Sequence, residues 1–317
     1  MRDGFGRNID YMRISVTDRC NLHCRYCSPG DIAGTKETEL LTFREIVRVV
    51  EAGVQLGITH YRVTGGEPLV RRDCPELIRR MRHTPGVESV GMTTNGVLLA
   101  DFAGQLADAG LDSVNVSLDT MDENEFERLT GSKNLSNVLE GIQAAKERGL
   151  AVKLNTVNRG ETDWRPIAAY AMEQGLLVRF IEMMPIGYGK TEPCRPNDAL
   201  LEEMKESFGQ PERLRQRFGD GPAVYYRFPG AGVTVGFISA MHHKFCEDCN
   251  RVRLTSQGSL KLCLCYGEGV DLREVLRTPG RELLPVMREA IRNKPREHCF
   301  GNFAQMTETR AMAEIGG

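Results

Sequence analysis

The sequence predicts an α/β protein built on an incomplete (βα)6 barrel of the TIM type, followed by a C-terminal extension of short strands and helices. Over residues 1–184, six short apolar runs rich in β-branched residues alternate with helical patterns, which is typical of parallel sheets. After Met184 the alternation stops, and prolines and glycines crowd residues 185–196, as in a connection between layers. We therefore predict a barrel domain over 1–184 and a second domain over 185–317 that covers the barrel opening.

Local signals place the elements of the first domain in order. The β-branched runs predict strands at 11–16, 60–64, 89–93, 113–117, 152–156 and 177–182. The helical patterns between them predict helices at 43–56, 75–82, 100–109, 136–148 and 163–174. Thr42 and Glu45 form a capping-box signature at the start of the first helix. A glycine suited to a left-handed helix end follows four of the helices. These glycines are Gly57, Gly110, Gly149 and Gly175.

The second domain has weaker and shorter signals. Its patterns predict a helix over 197–206, strands at 224–227, 233–238 and 252–254, and a helical segment over 281–293. The polar segment 32–39 is expected to be a flexible loop. The small residues of the closing MAEIGG are expected to be mobile in isolation.

Composition excludes several classes of protein. The 41 Lys and Arg nearly cancel the 43 Asp and Glu in the 317 residues, which excludes a strongly basic nucleic-acid coat. No apolar run approaches the length of a membrane span, and the N-terminal MRDGFGRNIDYMRIS has no hydrophobic signal core. We therefore expect a cytoplasmic protein with neither a nucleic-acid nor a membrane partner. Ten cysteines in that compartment indicate metal binding rather than disulfides.

Three cysteines, Cys20, Cys24 and Cys27, directly follow the first predicted strand. In a parallel barrel this loop lies at the carboxyl-terminal face, where such folds carry their chemistry. Thiolates spaced C-x3-C-x2-C can bind three irons of a cube-shaped iron–sulfur cluster and leave the fourth iron open, as a reactive cluster requires. The alternative is zinc with His23 as the fourth ligand, although the neighbours of His23 leave it little room to bend back.

Residues at the ends of the next strands favour a shared cofactor pocket. Gly65 and Gly66 let the backbone approach a ligand closely, and Glu67 can accept a hydrogen bond from an ammonium group. The polar residues that end the third and fourth strands are Thr93, Thr94, Asn95 and Ser117. Each alone is more typical of a turn or cap. Their common position at strand ends is what favours the pocket.

A second set of three cysteines has the spacing C-x2-C-x13-C. Its members are Cys246, Cys249 and Cys263. Spacing alone is equally consistent with a structural zinc site. The side chains that could complete such a site are Cys265, His242 and His243. Arg251 and Arg253 favour a cluster instead, because residues two apart on a strand face one side and two guanidinium groups suit a polyphosphate. One iron would again be free, here for a substrate heteroatom.

The chain resembles the radical S-adenosylmethionine (SAM) enzymes, whose signature C-x3-C-x-aromatic-C has Tyr26 at the aromatic position. A more specific resemblance, running nearly end to end, is to the GTP 3′,8-cyclase family. The matching segments are FGRNIDYMRISVTDRCN, RVTGGEPLVRRD, NVSLDT, RFIEMMPIG, FCEDCNRVRLTSQGSLKLCL, NKPREHCF and the closing Gly316-Gly317. The resemblance implies an incomplete barrel with two 4Fe–4S clusters at opposite ends of one cavity. The first would bind SAM, and the second would bind the guanine base of GTP.

The resemblance also implies roles for individual residues. The cluster ligands would be Cys20, Cys24 and Cys27 for the first cluster and Cys246, Cys249 and Cys263 for the second. The SAM contacts would be Tyr26, Gly65, Gly66, Glu67, Ser117 and Met184. The GTP contacts would be Arg13, Arg62, Thr93, Lys153, Arg251 and Arg253. The first three cysteines and the pair Arg251 and Arg253 would take part in catalysis. A triphosphate would neutralise those cations that point inward; for each cation alone, an outward surface position is the alternative.

The implied reaction is that of a lyase. An electron from the first cluster would cleave SAM, and the 5′-deoxyadenosyl radical would remove the C3′ hydrogen of GTP. Attack of C3′ on guanine C8 would then lead to (8S)-3′,8-cyclo-7,8-dihydroguanosine 5′-triphosphate, in the first step of molybdenum cofactor (molybdopterin) biosynthesis. The family suggests a homodimer, an electron donor of the flavodoxin or ferredoxin type, and transfer of the product to cyclic pyranopterin monophosphate synthase.

Some features depart from the family or leave alternatives open. Ser28 stands where the family commonly has Met, but this position is not a ligand. The family's twin-glycine tail reaches the active site, although the sequence alone favours a disordered end. Cys74 and Cys299 are expected to be buried packing residues, and Cys265 complicates the assignment of ligands. Two other functions stay open: another radical SAM enzyme with an auxiliary cluster, such as a peptide-modifying one, and a non-catalytic zinc-binding module.

Overall fold

One sheet of twelve strands organises the computed structural model, which describes residues 1–28, 30 and 34–316. The strands are β1 (Tyr11–Ser15), β2 (His60–Thr64), β3 (Ser89–Thr94), β4 (Ser113–Ser117), β5 (Ala151–Asn158), β6 (Leu177–Glu182), β7 (Glu212–Leu214), β8 (Val224–Phe228), β9 (Val233–Ile238), β10 (Arg251–Leu254), β11 (Ser259–Lys261) and β12 (Val270–Asp271). Their order in the sheet is β12-β11-β10-β1-β2-β3-β4-β5-β6-β9-β8-β7.

Helices connect the strands. They are α1 (Phe43–Gln55), α2 (Cys74–Arg82), α3 (Leu99–Asp108), α4 (Glu123–Thr130), α5 (Leu135–Glu147), α6 (Trp164–Gln174), α7 (Asn197–Phe208), α8 (Leu272–Arg277), α9 (Leu283–Arg292) and α10 (Met312–Ile315). Short 3-10 turns cover Glu37–Glu39, Pro68–Val70, Gly187–Thr191 and Phe303–Gln305. In the described part of the chain, no helix has the length and apolar character needed to cross a membrane.

The parallel part of the sheet is larger than the six strands predicted from the sequence. Strands β1 to β6 pair in parallel in chain order. The C-terminal region adds β10 in parallel beside β1 and β9 in parallel beside β6. Antiparallel strands then continue the sheet at both edges. The sheet thus runs through both predicted domains, and the boundary at residue 184 stays a prediction.

The local predictions for the barrel are confirmed to within two residues at every strand and helix end. The side chain of Thr42 accepts from the Glu45 backbone N–H, and the Glu45 side chain accepts from the Thr42 N–H, as a capping box requires. The four glycines after the helices have positive φ angles. The elements that the sequence did not predict (α4, α8, α10, β7, β11 and β12) have eight residues or fewer, too few to show a clear period.

The prediction of a mobile C-terminal end is wrong for residues 312–316. This segment forms α10, and the Ile315 side chain is fully buried. The Gly316 carbonyl accepts a hydrogen bond of 2.7 Å from Arg253 Nη1 on β10. Gly317 lies outside the described residues, as do Ile32 and Ala33 of the predicted flexible loop.

Strand alternation divides the side chains of the sheet between two environments. On β1, Met12 and Ile14 are fully buried in the apolar core, whereas Arg13 points to the opposite face. The register places Arg13 between Arg253 on β10 and Arg62 on β2. A row of cations therefore crosses the inner face of the barrel.

The buried carboxylate of Glu67 joins the ends of β2 and β3. Its Oε1 accepts from the Thr94 hydroxyl at 2.8 Å and from the Leu69 N–H at 3.0 Å, and its Oε2 accepts from the Asn95 N–H at 2.7 Å. Burial raises the pKa of Glu67 to about 7, even though these three hydrogen bonds favour the charged form. The folded protein therefore holds this proton at a pH where the unfolded chain, with a pKa near 4.5, has lost it.

We predict that this proton makes stability depend on pH. Because the folded state binds more protons between about pH 4.5 and 7, the Glu67 contribution to the free energy of unfolding falls as pH rises through that window. Urea unfolding measured from pH 5 to pH 8 should show a steeper decline for the natural chain than for Glu67→Gln, which cannot titrate. Parallel slopes for the two proteins would contradict the prediction.

Candidate active site

Both sets of cysteines line the same cavity, which has a volume of about 320 Å³. We call Cys20, Cys24 and Cys27 the first trio, and Cys246, Cys249 and Cys263 the second trio. The first trio follows the carboxyl end of β1, whereas the second trio lies on the segment before β10 and on the segment after β11. Since β10 runs parallel to β1, the two trios lie at opposite ends of this wall of the barrel.

The first trio lies in a loop held by backbone hydrogen bonds. Cys20 Sγ accepts from the Leu22 N–H at 3.4 Å, and the Cys27 N–H donates to the Cys24 carbonyl at 2.9 Å. Burial raises the pKa of Cys27 to about 12, and burial also raises the pKa of Cys20 and of Cys24. Because a metal binds thiolates, metal binding at the first trio would therefore release protons.

The second trio has a different electrostatic environment. Burial alone would raise the pKa of Cys249, but the charges of Lys294, Arg251 and Arg7, together with a hydrogen bond from the Arg251 backbone, outweigh burial and lower it. Burial raises the pKa of Cys246 and of Cys263. Cys249 is thus the member of this trio that is closest to a thiolate before any metal binds.

The side chains that could have closed the second trio as a zinc site are engaged elsewhere. Cys265 is fully buried, does not line the cavity, and accepts a hydrogen bond of 3.1 Å from the Cys299 N–H. His242 Nδ1 lies 2.9 Å from Glu182 Oε1, and His243 Nε2 lies 2.7 Å from Asp198 Oδ2.

The expectation that Cys74 and Cys299 are buried is confirmed.

The donor set of each trio suits a multi-iron cluster. A 4Fe–4S cluster binds each thiolate to a different iron, so three cysteines leave one iron open. Within residues 1–28, 30 and 34–316, no group of three His, Cys, Asp or Glu side chains is placed to hold one metal ion.

Most of the residues expected to contact SAM border the cavity beside the first trio. They are Tyr26, Gly65, Gly66, Ser117 and Met184. Gly66 packs so closely on the loop after β1 that a Cβ atom there would lie 2.4 Å from the Arg19 carbonyl oxygen. Glu67 is not among the residues that line the cavity, because its carboxylate is occupied by the three donors at the ends of β2 and β3.

Arg251 and Arg253 lie on β10 between the two trios, and both line the cavity together with Arg13 and Thr93. Burial lowers the pKa of Arg13 to about 10, and burial together with Arg13 and Arg251 lowers the pKa of Arg253. Thr93 Oγ1 and Arg251 Nε are buried and have no hydrogen-bond partner among the described residues. Polar atoms of this kind on a cavity wall suit a bound polar ligand.

Two of the expected GTP contacts do not line the cavity. Arg62 donates to the Tyr11 hydroxyl at 3.0 Å and to the Met92 carbonyl at 2.9 Å. Lys153 lies close to Gly219, where a Cβ atom would be 3.3 Å from Lys153 Nζ. Burial, followed by the charges of Arg179 and Arg62, lowers the pKa of Lys153 to about 8. Both cations belong to the same positively charged barrel interior as Arg13.

The sequence analysis missed several functional candidates. Arg179 on β6 is buried, and its Nε donates to Asn155 Oδ1 at 2.9 Å. An arginine in the middle of an apolar strand was the available signal, since Arg13 and Arg62 show the same pattern. Asp119 was also missed; its Oδ2 accepts from the Tyr26 hydroxyl at 2.6 Å beside the first trio. Lys294, next to the second trio, was missed as well. In the sequence, only its place in the matching segment NKPREHCF marked it.

Comparison with known proteins agrees with this geometry. The Radical SAM superfamily profile matches residues 14–171, and the Molybdenum Cofactor Synthesis C profile matches residues 176–300. A Peptoclostridium acidaminophilum protein named GTP 3′,8-cyclase is 41% identical over 324 residues, covering 99% of this chain and 98% of its own length. The protein of that name from Pelotomaculum thermopropionicum is 42% identical over 327 residues and covers 100% of both chains.

Solved structures show the same fold. The structure of Streptococcus suis SuiB bound to S-adenosylmethionine aligns with 97% of this chain and 78% of its own, with a TM-score of 0.65 and 13% sequence identity.

A third sequence relative, a Paracoccus denitrificans protein named GTP 3′,8-cyclase, is 42% identical over 308 residues, covering 94% of this chain and 89% of its own. With two cysteine trios on one cavity and full-length relatives at about 40% identity, the chain belongs to the GTP 3′,8-cyclase family of the radical SAM superfamily.

Proposed function

We propose that the chain is a radical SAM GTP 3′,8-cyclase, a lyase that converts GTP to (8S)-3′,8-cyclo-7,8-dihydroguanosine 5′-triphosphate in the first step of molybdenum cofactor biosynthesis. One observation carries the proposal: both cysteine trios border one cavity, with Arg251 and Arg253 on the strand between them. A site that needs a radical source at one end and a substrate anchor at the other would have this layout.

The first trio would hold a 4Fe–4S cluster, and the second trio would hold another. When both are bound, the reduced first cluster and SAM would supply a 5′-deoxyadenosyl radical. The residues for contact with SAM would be Tyr26, Gly65, Gly66, Ser117 and Met184. Glu67 would act by holding the loop that carries Asn95, whose side chain lies 3.7 Å from Cys20 Sγ. The apolar lining would exclude water and other hydrogen donors from the chamber.

The barrel cations would bind the triphosphate. The proposed groups are Arg13, Arg251 and Arg253, which line the cavity, and Arg62, Lys153 and Arg179, which do not line it but belong to the same cationic barrel interior. Burial and mutual repulsion lower the pKa of Arg13, Arg179 and Arg253, so a polyanion that restored their charge balance would bind strongly. The Thr93 hydroxyl, which has no hydrogen-bond partner among the described residues, would contact the nucleoside. Arg253 would also hold the C-terminal end against the chamber through the Gly316 carbonyl.

The proposal includes the cellular context that family membership suggests. The enzyme would act in the cytoplasm as a homodimer, receive electrons from a protein of the flavodoxin or ferredoxin type, and deliver its product to cyclic pyranopterin monophosphate synthase.

The direct test is anaerobic incubation of reconstituted protein with SAM, a chemical reductant and GTP. We expect 5′-deoxyadenosine and the cyclised nucleotide to appear together, and neither to form with Cys24→Ser. Formation of 5′-deoxyadenosine with no change in GTP would assign the chain to a different radical SAM reaction.

We predict that serine substitutions at Cys263 and at Cys265 have different effects on the iron content of the reconstituted protein. Cys263→Ser should lose about four irons per chain on reconstitution, since it removes a proposed ligand of the second cluster. Cys265→Ser should keep the full iron content, because Cys265 does not line the cavity and its sulfur accepts a hydrogen bond from the Cys299 N–H. Iron and sulfide analysis provides the measurement. Equal loss in both variants would show that Cys265 takes part in metal binding.

We also predict that Arg179→Gln weakens GTP binding by about 10- to 100-fold, because a charge-assisted hydrogen bond contributes about 1.5–3 kcal/mol. Equilibrium dialysis would measure the affinity, with guanosine as the uncharged ligand and the exposed Arg128→Gln as the control variant. Equal weakening of guanosine and GTP binding would contradict a phosphate contact.

A further inference from the structure

Arg7, in the segment before β1, ties the second trio to a distant part of the chain. Its side chain is buried, and Nη1 donates to the Cys246 carbonyl at 2.9 Å and to the Arg296 carbonyl at 2.7 Å. Nη2 donates to the Pro295 carbonyl at 2.6 Å. A single planar guanidinium thus holds the loop of a proposed ligand against residues 294–296.

The charge of Arg7 is balanced locally. Arg7 Nε donates to Asp3 Oδ2 at 2.6 Å, and the Asp3 side chain is fully buried. Asp3 Oδ1 accepts from the N–H groups of Phe5 and Arg7, each at 3.0 Å. The N-terminal segment is therefore a preformed clamp, with nearly every donor of the guanidinium given a fixed partner.

Lys294 supplies a second buried cation at the same place. It is only 3% exposed, lines the cavity, and donates from Nζ to the carbonyl of Leu262, the residue before Cys263. Its charge acts on both Cys249 and Cys263. The charged groups that act most strongly on the first trio, apart from its own thiols, are instead the acids Glu67 and Asp119.

We propose that Arg7 and Lys294 are positioning residues of the second trio: Arg7 sets the place of the Cys246 loop, and Lys294 offsets the negative charge that the thiolates and an electron-rich cluster concentrate there. This inference rests on the proposed function, since it needs an iron–sulfur cluster at the second trio. Replacing a residue that hydrogen-bonds to or orients a metal ligand commonly lowers the affinity for the metal by about 10- to 100-fold.

The test isolates the second trio in the full chain with Cys20, Cys24 and Cys27 changed to Ser. After anaerobic reconstitution, iron loss to a chelator is followed for this parent, for Arg7→Lys and for the exposed control Arg128→Lys. Lysine keeps the charge but cannot bridge the three carbonyls, so Arg7→Lys should lose iron about 10- to 100-fold faster, and the control should match the parent. Equal rates for Arg7→Lys and the parent would overturn the role of Arg7.

Two further results separate this inference from its alternatives. A parent that binds no iron would refute the second cluster itself, and with it this inference. In the chain with all six ligands, Arg7→Lys should keep the iron of the first trio; loss of both clusters would mean that Arg7 serves folding in general and would overturn the local role.

Lys294 is tested by the reduction potential of the same isolated cluster, measured by a redox titration followed by electron paramagnetic resonance. Removing a nearby positive charge disfavours the added electron, so Lys294→Met should shift the potential to a more negative value. Lys294→Arg should restore the potential of the parent. An unchanged potential in Lys294→Met, or no restoration in Lys294→Arg, would overturn the electrostatic role.

Discussion

The backbone pairing of β10 with β1 is the interaction on which the rest of the site depends. The two strands pair in parallel from Tyr11 beside Arg251 to Ile14 beside Leu254. Because the first trio follows β1 and Cys249 precedes β10, this pairing separates the two trios by the length of the strands, roughly 10 Å for four residues. Antiparallel pairing would instead bring Cys20 and Cys249 to the same end and leave no chamber between the trios.

The same register concentrates positive charge inside the barrel. Strand alternation directs apolar side chains such as Ile14 toward the helices, and it directs Arg13, Arg62 and Arg253 inward. A chain with a net charge of only −2 can therefore present a strongly cationic interior. Burial and, to a lesser extent, neighbouring cations lower the pKa of Arg13 and of Lys153. The proposed polyanion would offset the cost of burying these charges.

The two trios have the same ligand type but different surroundings. Glu67 and Asp119 act on the first trio, whereas Lys294 and Arg251 act on the second. Nearby charge is one of the factors that set the reduction potential of iron–sulfur clusters. Two clusters on identical thiolate sets could thus serve different tasks, with the difference residing in residues far from the ligands in sequence.

The sequence by itself determined the local features: the six βα units, the helix ends at Thr42 and the glycines, and the two cysteine trios. These follow from side-chain periodicity, capping chemistry and spacing, which act over a few residues. The resemblance of its motifs also led to the family. Only the tertiary structure decided which way β9 and β10 pair, that Cys265 does not line the cavity, and that Glu67 accepts a hydrogen bond from Thr94 at the end of β3. It also placed the C-terminal end, expected to be mobile, against Arg253. Each of these depends on contacts between residues distant in the chain, for which local periodicity and spacing contain no signal.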